Sequence, residues 1–246
     1  MWKKSSLRIL KLKLMSDFDF LQRTRLLFGD ESVEKLKKSC VAIFGIGGVG
    51  GHAADAVVRC GIGTIIVADR DVVDITNINR QIIADTSTVG KNKTDVMEAR
   101  AKLINPDINV IKFTHSFKDD YSIVFDAYKV DAVIDCIDDV SAKINLICYC
   151  KQNNIPIVSS MGTALRKHPE MVEVTDIYKT SYDPLARVLR KELRKRDIQA
   201  LTVVCSREEP MPRNNDVLAS CAFVPAAAGL CATGKVIRYI CGEDKL

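Results

Sequence analysis

The stretch Cys40-Val41-Ala42-Ile43-Phe44-Gly45-Ile46-Gly47-Gly48-Val49-Gly50 decides the fold. A short β-branched and aromatic run enters a GxGxxG loop, and from His52 to Cys60 apolar residues recur at helical spacing until Gly61 stops them. Strand, glycine turn and helix therefore follow one another directly. Glycines let the backbone turn tightly and approach a phosphate, while the helix N-terminus offers free N–H groups and a positive dipole. A second buried strand, 64–68, closes on Asp69, roughly 20 residues past the loop, where a carboxylate suits a ribose hydroxyl. Up to this point an NAD-dependent dehydrogenase would look the same, and a glycine turn with no ligand also stays open.

Working outward, the alternation continues. Residues 93–103 read as a helix ended by Asn105-Pro106, and 108–113 as a strand. A strand at 130–134 runs into the acids Asp135, Asp138 and Asp139, followed by a helix at 142–153 and a strand at 156–159. This pattern predicts a Rossmann-like, doubly wound α/β fold, its mostly parallel sheet covered by helices on both faces. After Gly162 the pattern weakens. A strand at 170–176, a helix opened by Asp183-Pro184, a strand at 202–205, a loop at 207–216 and an apolar helix over 217–241 are expected. No linker interrupts the chain, so 16–246 is read as a single domain. Residues 1–15 read as a basic leader, disordered or an upstream extension, with Met15 as an alternative start.

Composition excludes several classes. With 246 residues, 47% hydrophobic and 27% charged, the chain can bury the core of one large soluble domain. Its net charge of +5 tolerates an anionic partner without demanding one. Nine cysteines, with no secretory signal and no CxxC pair, point to a reducing, cytoplasmic compartment and against structural zinc. Residues 217–234 are free of charge and long enough for a membrane helix, but Ser220, Pro225, Gly229, Thr233 and Gly234 dilute them. A helix buried against the sheet is expected there. The histidines His52, His115 and His168 are scattered and form no metal or triad pattern.

The segment after the second strand carries the chemistry. Asp69, Arg70 and Asp71 lead into Asp74-Ile75-Thr76-Asn77-Ile78-Asn79-Arg80-Gln81, a polar run that a dinucleotide site does not need. Arg80, with Lys93 at a helix start, can neutralise a triphosphate. Asp138, at the carboxyl edge of the sheet, can hold Mg²⁺ against phosphates. Surface ion pairing for the two cations, and a helix N-terminal role for Asp138, are the plainer alternatives.

Gly45 to Gly50, Asp69 to Gln81, Lys93 and Asp135 to Asp138 together resemble the ThiF/MoeB/HesA family, relatives of ubiquitin-activating enzymes. The resemblance implies a homodimer that uses ATP and Mg²⁺ to form an acyl adenylate and release pyrophosphate. It assigns Gly45, Gly47, Gly48, Gly50, Asp69, Asp71, Asn77, Arg80 and Lys93 to ATP, and Asp138 to the metal. Catalysis falls to Arg23, Arg80, Lys93 and Asp138, with Arg23 reaching into the partner subunit's site.

Within the family, members that adenylate a ubiquitin-like sulfur carrier often hold zinc with two CxxC pairs, which this chain lacks. Its second half resembles a tRNA-modifying branch at Gln81-Ile82-Ile83, Val174-Thr175-Asp176, Lys179-Thr180, Asp183 to Ala186, Val204 to Glu208 and Phe223 to Gly229. That branch uses ATP to close the threonylcarbamoyl side chain of a modified adenosine into a ring, and is associated with a cysteine desulfurase system. In the helix opened at Asp183, Leu185, Val188, Leu189 and Leu193 form an apolar stripe. Arg187, Arg190, Lys191, Arg194 and Lys195 form a basic one, suited to tRNA phosphates or to solvent alone. Cys205 ends a strand beside polar residues, but no neighbour argues for a low pKa, so it is read as structural. Adenylation of a carrier protein, and an NAD-dependent oxidoreductase or nucleotide sensor, remain the competing readings.

Overall fold

The computed structural model describes residues 19–115, 120–213 and 218–246; the expected leader, 1–15, lies outside them, as does residue 217. The strands are β1 (Cys40–Phe44), β2 (Thr64–Ala68), β3 (Asn109–Phe113), β4 (Ala132–Asp135), β5 (Ile157–Ser160), β6 (Val172–Asp176) and β7 (Thr202–Ser206). The helices are α1 (Gln22–Phe28), α2 (Asp30–Lys38), α3 (Gly50–Arg59), α4 (Lys93–Ile104), α5 (Ser122–Phe125), α6 (Val140–Gln152), α7 (Pro184–Arg194) and α8 (Phe223–Cys241).

All the strands join one sheet in the order β3-β2-β1-β4-β5-β7-β6. β1 pairs in parallel with β2 on one side and with β4 on the other, placing Phe44 beside both Ala68 and Asp135. β6 alone runs antiparallel, pairing Val174 with Val204 of β7. Side chains alternate between sheet faces, and the two faces feed separate cores. Val41, Ile43, Ile65 and Val67 pack with Ala228, Ala232 and Val236 of α8, together with residues of α3 and α4. Ala42, Phe44 and Ile66 pack on the other face with Leu146 and Ile147 of α6 and with Leu189 and Leu193 of α7. Each Val, Leu, Ile or Phe among them, fully buried, contributes about 1.5–3 kcal/mol.

The doubly wound expectation therefore holds, with three differences of detail. The apolar C-terminal helix begins at Phe223 rather than 217, because Leu218 and Ser220 line the cleft described below and the Ala219 carbonyl accepts from the Leu165 N–H. β6 adds an antiparallel edge. The segment around Gln22-Arg23-Thr24-Arg25, for which no element was expected, is the helix α1, and it buries no residue of its own. Leu21 beside it is the buried anchor. No helix among the described residues is long and apolar enough to cross a membrane.

Candidate functional site

β1 delivers the chain to the carboxyl edge of the sheet, where Gly45 turns with φ +86°. A Cβ on Gly45 would lie 2.6 Å from the Cys136 carbonyl oxygen, and one on Gly50 would lie 1.7 Å from that of Gly45. Close packing of loop, β4 exit and α3 thus demands glycine at both positions. A Cβ on Gly47 would meet nothing nearer than the Gln81 amide at 3.8 Å, so its backbone faces free space. α3 starts from this loop and aims its first N–H groups at that space.

Asp69, past the end of β2, organises the loop from the side. The Ile46 N–H donates to its Oδ2 at 2.6 Å and the Asp71 N–H to its Oδ1 at 2.8 Å. Each oxygen keeps a further lone pair for a ribose hydroxyl. Burial pushes the Asp69 carboxyl above its ordinary range, with the Lys93 charge opposing that shift. Lys93, buried at the start of α4, donates from Nζ to Asp71 at 2.8 Å and lies 3.8 Å from Asp69. Arg80 donates through Nη1 to the Thr76 carbonyl at 2.8 Å and to Asn79 Oδ1 at 3.1 Å. Asn77 is buried and completes a capping box with Asp74, its Oδ1 accepting the Asp74 N–H at 3.1 Å. Gln81 lines the same cleft, and its Oε1 is buried with no hydrogen-bond partner among the described residues. An orphaned acceptor costs about 1–3 kcal/mol, which a donor on a bound nucleotide would offset.

The three acids at and beyond the end of β4 divide their labour. Asp135 is fully buried, receiving Lys143 Nζ at 2.8 Å, Ser159 Oγ at 2.6 Å and the Ile137 N–H at 3.0 Å. Asp139 caps α6 through the Ala142 N–H at 2.8 Å. Asp138 is exposed and lines the cleft. Among the described residues no group of three or more His, Cys, Asp or Glu side chains gathers as a metal site. One carboxylate facing a phosphate cradle fits Mg²⁺, which usually keeps its waters and binds through one or two carboxylates plus substrate phosphates.

Gly45, Gly47, Gly48, Asp69, Asp71, Asn77, Arg80, Lys93 and Asp138 thus come together on one cleft of about 1750 Å³. Gly50 sits behind them in the turn. Arg23 does not line the cleft of its own chain; it is exposed on α1.

α7 corrects two expectations. Arg190 is half-buried, its Nη1 donating to the Thr180 carbonyl at 3.1 Å and to the Thr180 hydroxyl, and Lys195 is paired with Glu192 at 2.7 Å. Thr180 holds Arg190 against the fold, whereas Lys195 stays 57% exposed in a surface pair with Glu192. Arg187, Lys191 and Arg194 are exposed and make no ion pair among the described residues; Arg194 lies over the Tyr178 ring at 5.1 Å. Of the expected apolar stripe, Leu189 and Leu193 pack inward with Ala186, Val188 lines the cleft, and Leu185 lines the cleft while also packing against the core. Cys205 is buried, and burial pushes its thiol up to about 11, as a structural cysteine requires.

Two buried ion pairs escaped the sequence. Lys143 interrupts the apolar run of α6, a signal that a buried acid waits beneath it. Arg166, which pairs with Asp183 at 3.3 Å, stands in a loop with no periodicity to mark it.

The ThiF family profile matches residues 21–246, nearly the whole of the described chain. The chain belongs to the ThiF family. A ThiF-family relative from Bacillus subtilis, a tRNA threonylcarbamoyladenosine dehydratase, is 41% identical over 233 residues, covering 87% of this chain and 92% of its own length. A dehydratase of the same name from Haemophilus influenzae is 39% identical over 171 residues, covering 69% of this chain and 65% of its own. The crystal structure of the Escherichia coli tRNA N6-threonylcarbamoyladenosine dehydratase in complex with ATP superposes with a TM-score of 0.83 at 33% identity. It covers 89% of this chain and 93% of that one.

Proposed function

We propose that this chain adenylates the carboxylate of N6-threonylcarbamoyladenosine in tRNA with ATP and then closes the side chain into a ring. The observation that carries the reading is the gathering of Arg80, Lys93 and Asp138 on the cleft of the glycine loop, in a chain 41% identical to a dehydratase of that substrate. A carboxylate is a poor electrophile until one oxygen becomes a good leaving group. Its oxygen attacks the α-phosphorus of ATP, the bond to the β-phosphate breaks, and pyrophosphate leaves with the electron pair. An internal nitrogen of the side chain then attacks the acyl carbon and loses its proton, and AMP departs. Because the nitrogen is already tethered, the second step loses little entropy.

Within this scheme, backbone N–H groups at Gly47 and Gly48 and at the α3 N-terminus receive phosphate oxygens. Asp69 orients the ribose, while Arg80 and Lys93 counter the charge that builds as pyrophosphate separates. Mg²⁺ would be held by Asp138 and would neutralise phosphate charge there. The exposed cations of α7 fit a tRNA backbone. A homodimer accounts for α1, whose Leu26 and Leu27 stand 85% and 77% exposed beside Arg23, leaving that arginine free to serve the second subunit's cleft. Nine free cysteines fit a reducing cytoplasm. A cysteine desulfurase partner would act beside this reaction rather than through Cys205, whose thiol stays protonated at neutral pH.

The test is pyrophosphate release by the purified chain with ATP, supplied with total tRNA, with a ubiquitin-like carrier protein, or with neither. Release is expected with tRNA alone. Carrier-dependent release without a tRNA effect would overturn the reading in favour of a sulfur-carrier substrate.

A further inference from the structure

The cleft is larger than its nucleotide. Small-molecule sites span roughly 300–1,000 Å³, whereas this one measures about 1750 Å³. Besides the glycine loop, the same cleft is bounded by the loop after β5, the first turns of α7 and the segments at Met211 and Leu218, and this side is its second lobe. Leu165, Leu185, Val188, Met211 and Leu218 line it. Val188, Met211 and Leu218 remain 45%, 47% and 52% exposed, an apolar wall left open to water inside a concavity. Exposed apolar surface of this kind marks binding rather than folding.

The lobe is built, not incidental. Arg166 is buried at its base, and its guanidinium donates to the carbonyls of Gly162 at 2.8 Å, Ala164 at 3.3 Å, Tyr182 at 3.3 Å and Glu208 at 3.1 Å, and to Asp183 Oδ2 at 3.3 Å. Asp183 in turn caps α7 through the Ala186 N–H at 2.8 Å. Leu165 and Tyr182, either side of this hub, are held at φ +60° and +57°, a left-handed conformation that side-chain-bearing residues adopt only when their surroundings enforce it. The Leu165 N–H donates to the Ala219 carbonyl at 2.8 Å, and the Leu165 carbonyl accepts from the Met211 N–H at 2.9 Å. One arginine and one leucine thereby lock three separate segments into a single wall.

The same helix that supplies Leu185 and Val188 to the lobe carries Arg187, Lys191 and Arg194 in solvent. An apolar recess continuous with a nucleotide site, beside a short row of free cations, suits a strand whose phosphates stay outside while one base turns in. We propose that the second lobe receives a single purine base turned out of an RNA loop, packed against the wall at Leu165, Val188 and Met211. The base's substituent then points toward the phosphates held by Arg80 and Lys93. The inference rests on the tRNA reading above and adds to it where the base sits and what reads it.

The discriminating probe is the free nucleoside N6-threonylcarbamoyladenosine, which has the base and lacks the strand. It is titrated calorimetrically into the full chain with a non-hydrolysable ATP analogue present, alongside tRNA-dependent pyrophosphate release. Wild-type chain is expected to bind the nucleoside. Val188→Asp, at a position already in solvent and so tolerant of the charge, should weaken it by about tenfold or more, because binding then buries an unpaired carboxylate. Met211→Asp should do the same by an independent route. Affinity for the ATP analogue should stay unchanged in both variants, and Val188→Ile should retain nucleoside binding. Equal nucleoside affinity in wild type and both acidic variants overturns the lobe assignment, as does tRNA turnover by a wild-type chain that does not bind the nucleoside. Absence of any tRNA-dependent release overturns the tRNA reading itself, a separate result.

Discussion

Lys93 shows how single residues are poised in this cleft. In the free chain its ammonium is neutralised by Asp71 at 2.8 Å and steadied by Asp69 at 3.8 Å, in a slot that leaves the side chain 7% exposed. A triphosphate brings a denser negative charge to the same place, and Lys93 is the buried cation nearest the ribose acid. Charge-assisted hydrogen bonds contribute about 1.5–3 kcal/mol, so Lys93→Ala should lower ATP affinity by tenfold or more in a calorimetric titration. Lys93→Arg should not restore it, because a planar fork does not fit a slot shaped for a point charge. ATP affinity unchanged by the Ala substitution would put the phosphates elsewhere. That Lys93, Arg80 and Asp138 would share one cleft was legible before the structure, because each stands in a polar run at the carboxyl edge of the expected sheet. The division among Asp135, Asp138 and Asp139 was not. Which acid is buried depends on Lys143 and Ser159, contributed by a helix and a strand further along the chain.

At the level of elements, α7 does two jobs that its sequence had fused into one. Read as a helix, it offered one apolar and one basic stripe. Folded, it sends Ala186, Leu189 and Leu193 into the core, Leu185 and Val188 to the cleft, and Arg187, Lys191 and Arg194 to solvent. Arg190 and Lys195 are occupied by Thr180 and Glu192. The three cations without an ion pair are the best placed to follow a nucleic-acid backbone. Changing Arg187, Lys191 and Arg194 together to Gln should weaken tRNA binding at low salt and flatten its dependence on salt concentration. Each phosphate of a single strand that the protein no longer neutralises takes about 0.7 off the log–log slope. ATP affinity should be unaffected, and a slope identical to wild type would leave this face merely solvated. Strands and helices that bury a regular stripe were readable, since β-branched runs and helical spacing are set by burial. α1 was missed because it buries nothing, and so carries no stripe. The antiparallel setting of β6 was missed because its residues are all half-buried, and direction within a sheet leaves no mark on such a strand.

On the scale of the whole molecule, the parts assigned to chemistry lie along one edge, with a single exception. The glycine loop leaves β1, Asp69 follows β2, Asp138 follows β4 and the strained loop of the second lobe follows β5. Strand order reverses between β1 and β4, and at such a switch point the connecting loops part and open a crevice. One catalytic candidate stays outside this logic. Arg23 lies on α1, ahead of the sheet, on a helix whose leucines are exposed and which is held to its own chain through Phe28 and Arg25. In the two-fold dimer proposed above, each subunit can lend that helix to the other's cleft, and an arginine arriving in trans would stabilise charge on the phosphates as adenylate forms. Arg23→Ala and Asp138→Ala should then each be inactive as pure homodimers. In a mixed dimer one cleft carries both defects and the other carries neither. Refolding equal amounts together gives mixed dimers in half of the random pairings, so about a quarter of wild-type pyrophosphate release should return. If mixed dimers form, as tagged subunits that co-purify would demonstrate, and activity stays absent, Arg23 serves its own subunit or takes no part in the reaction.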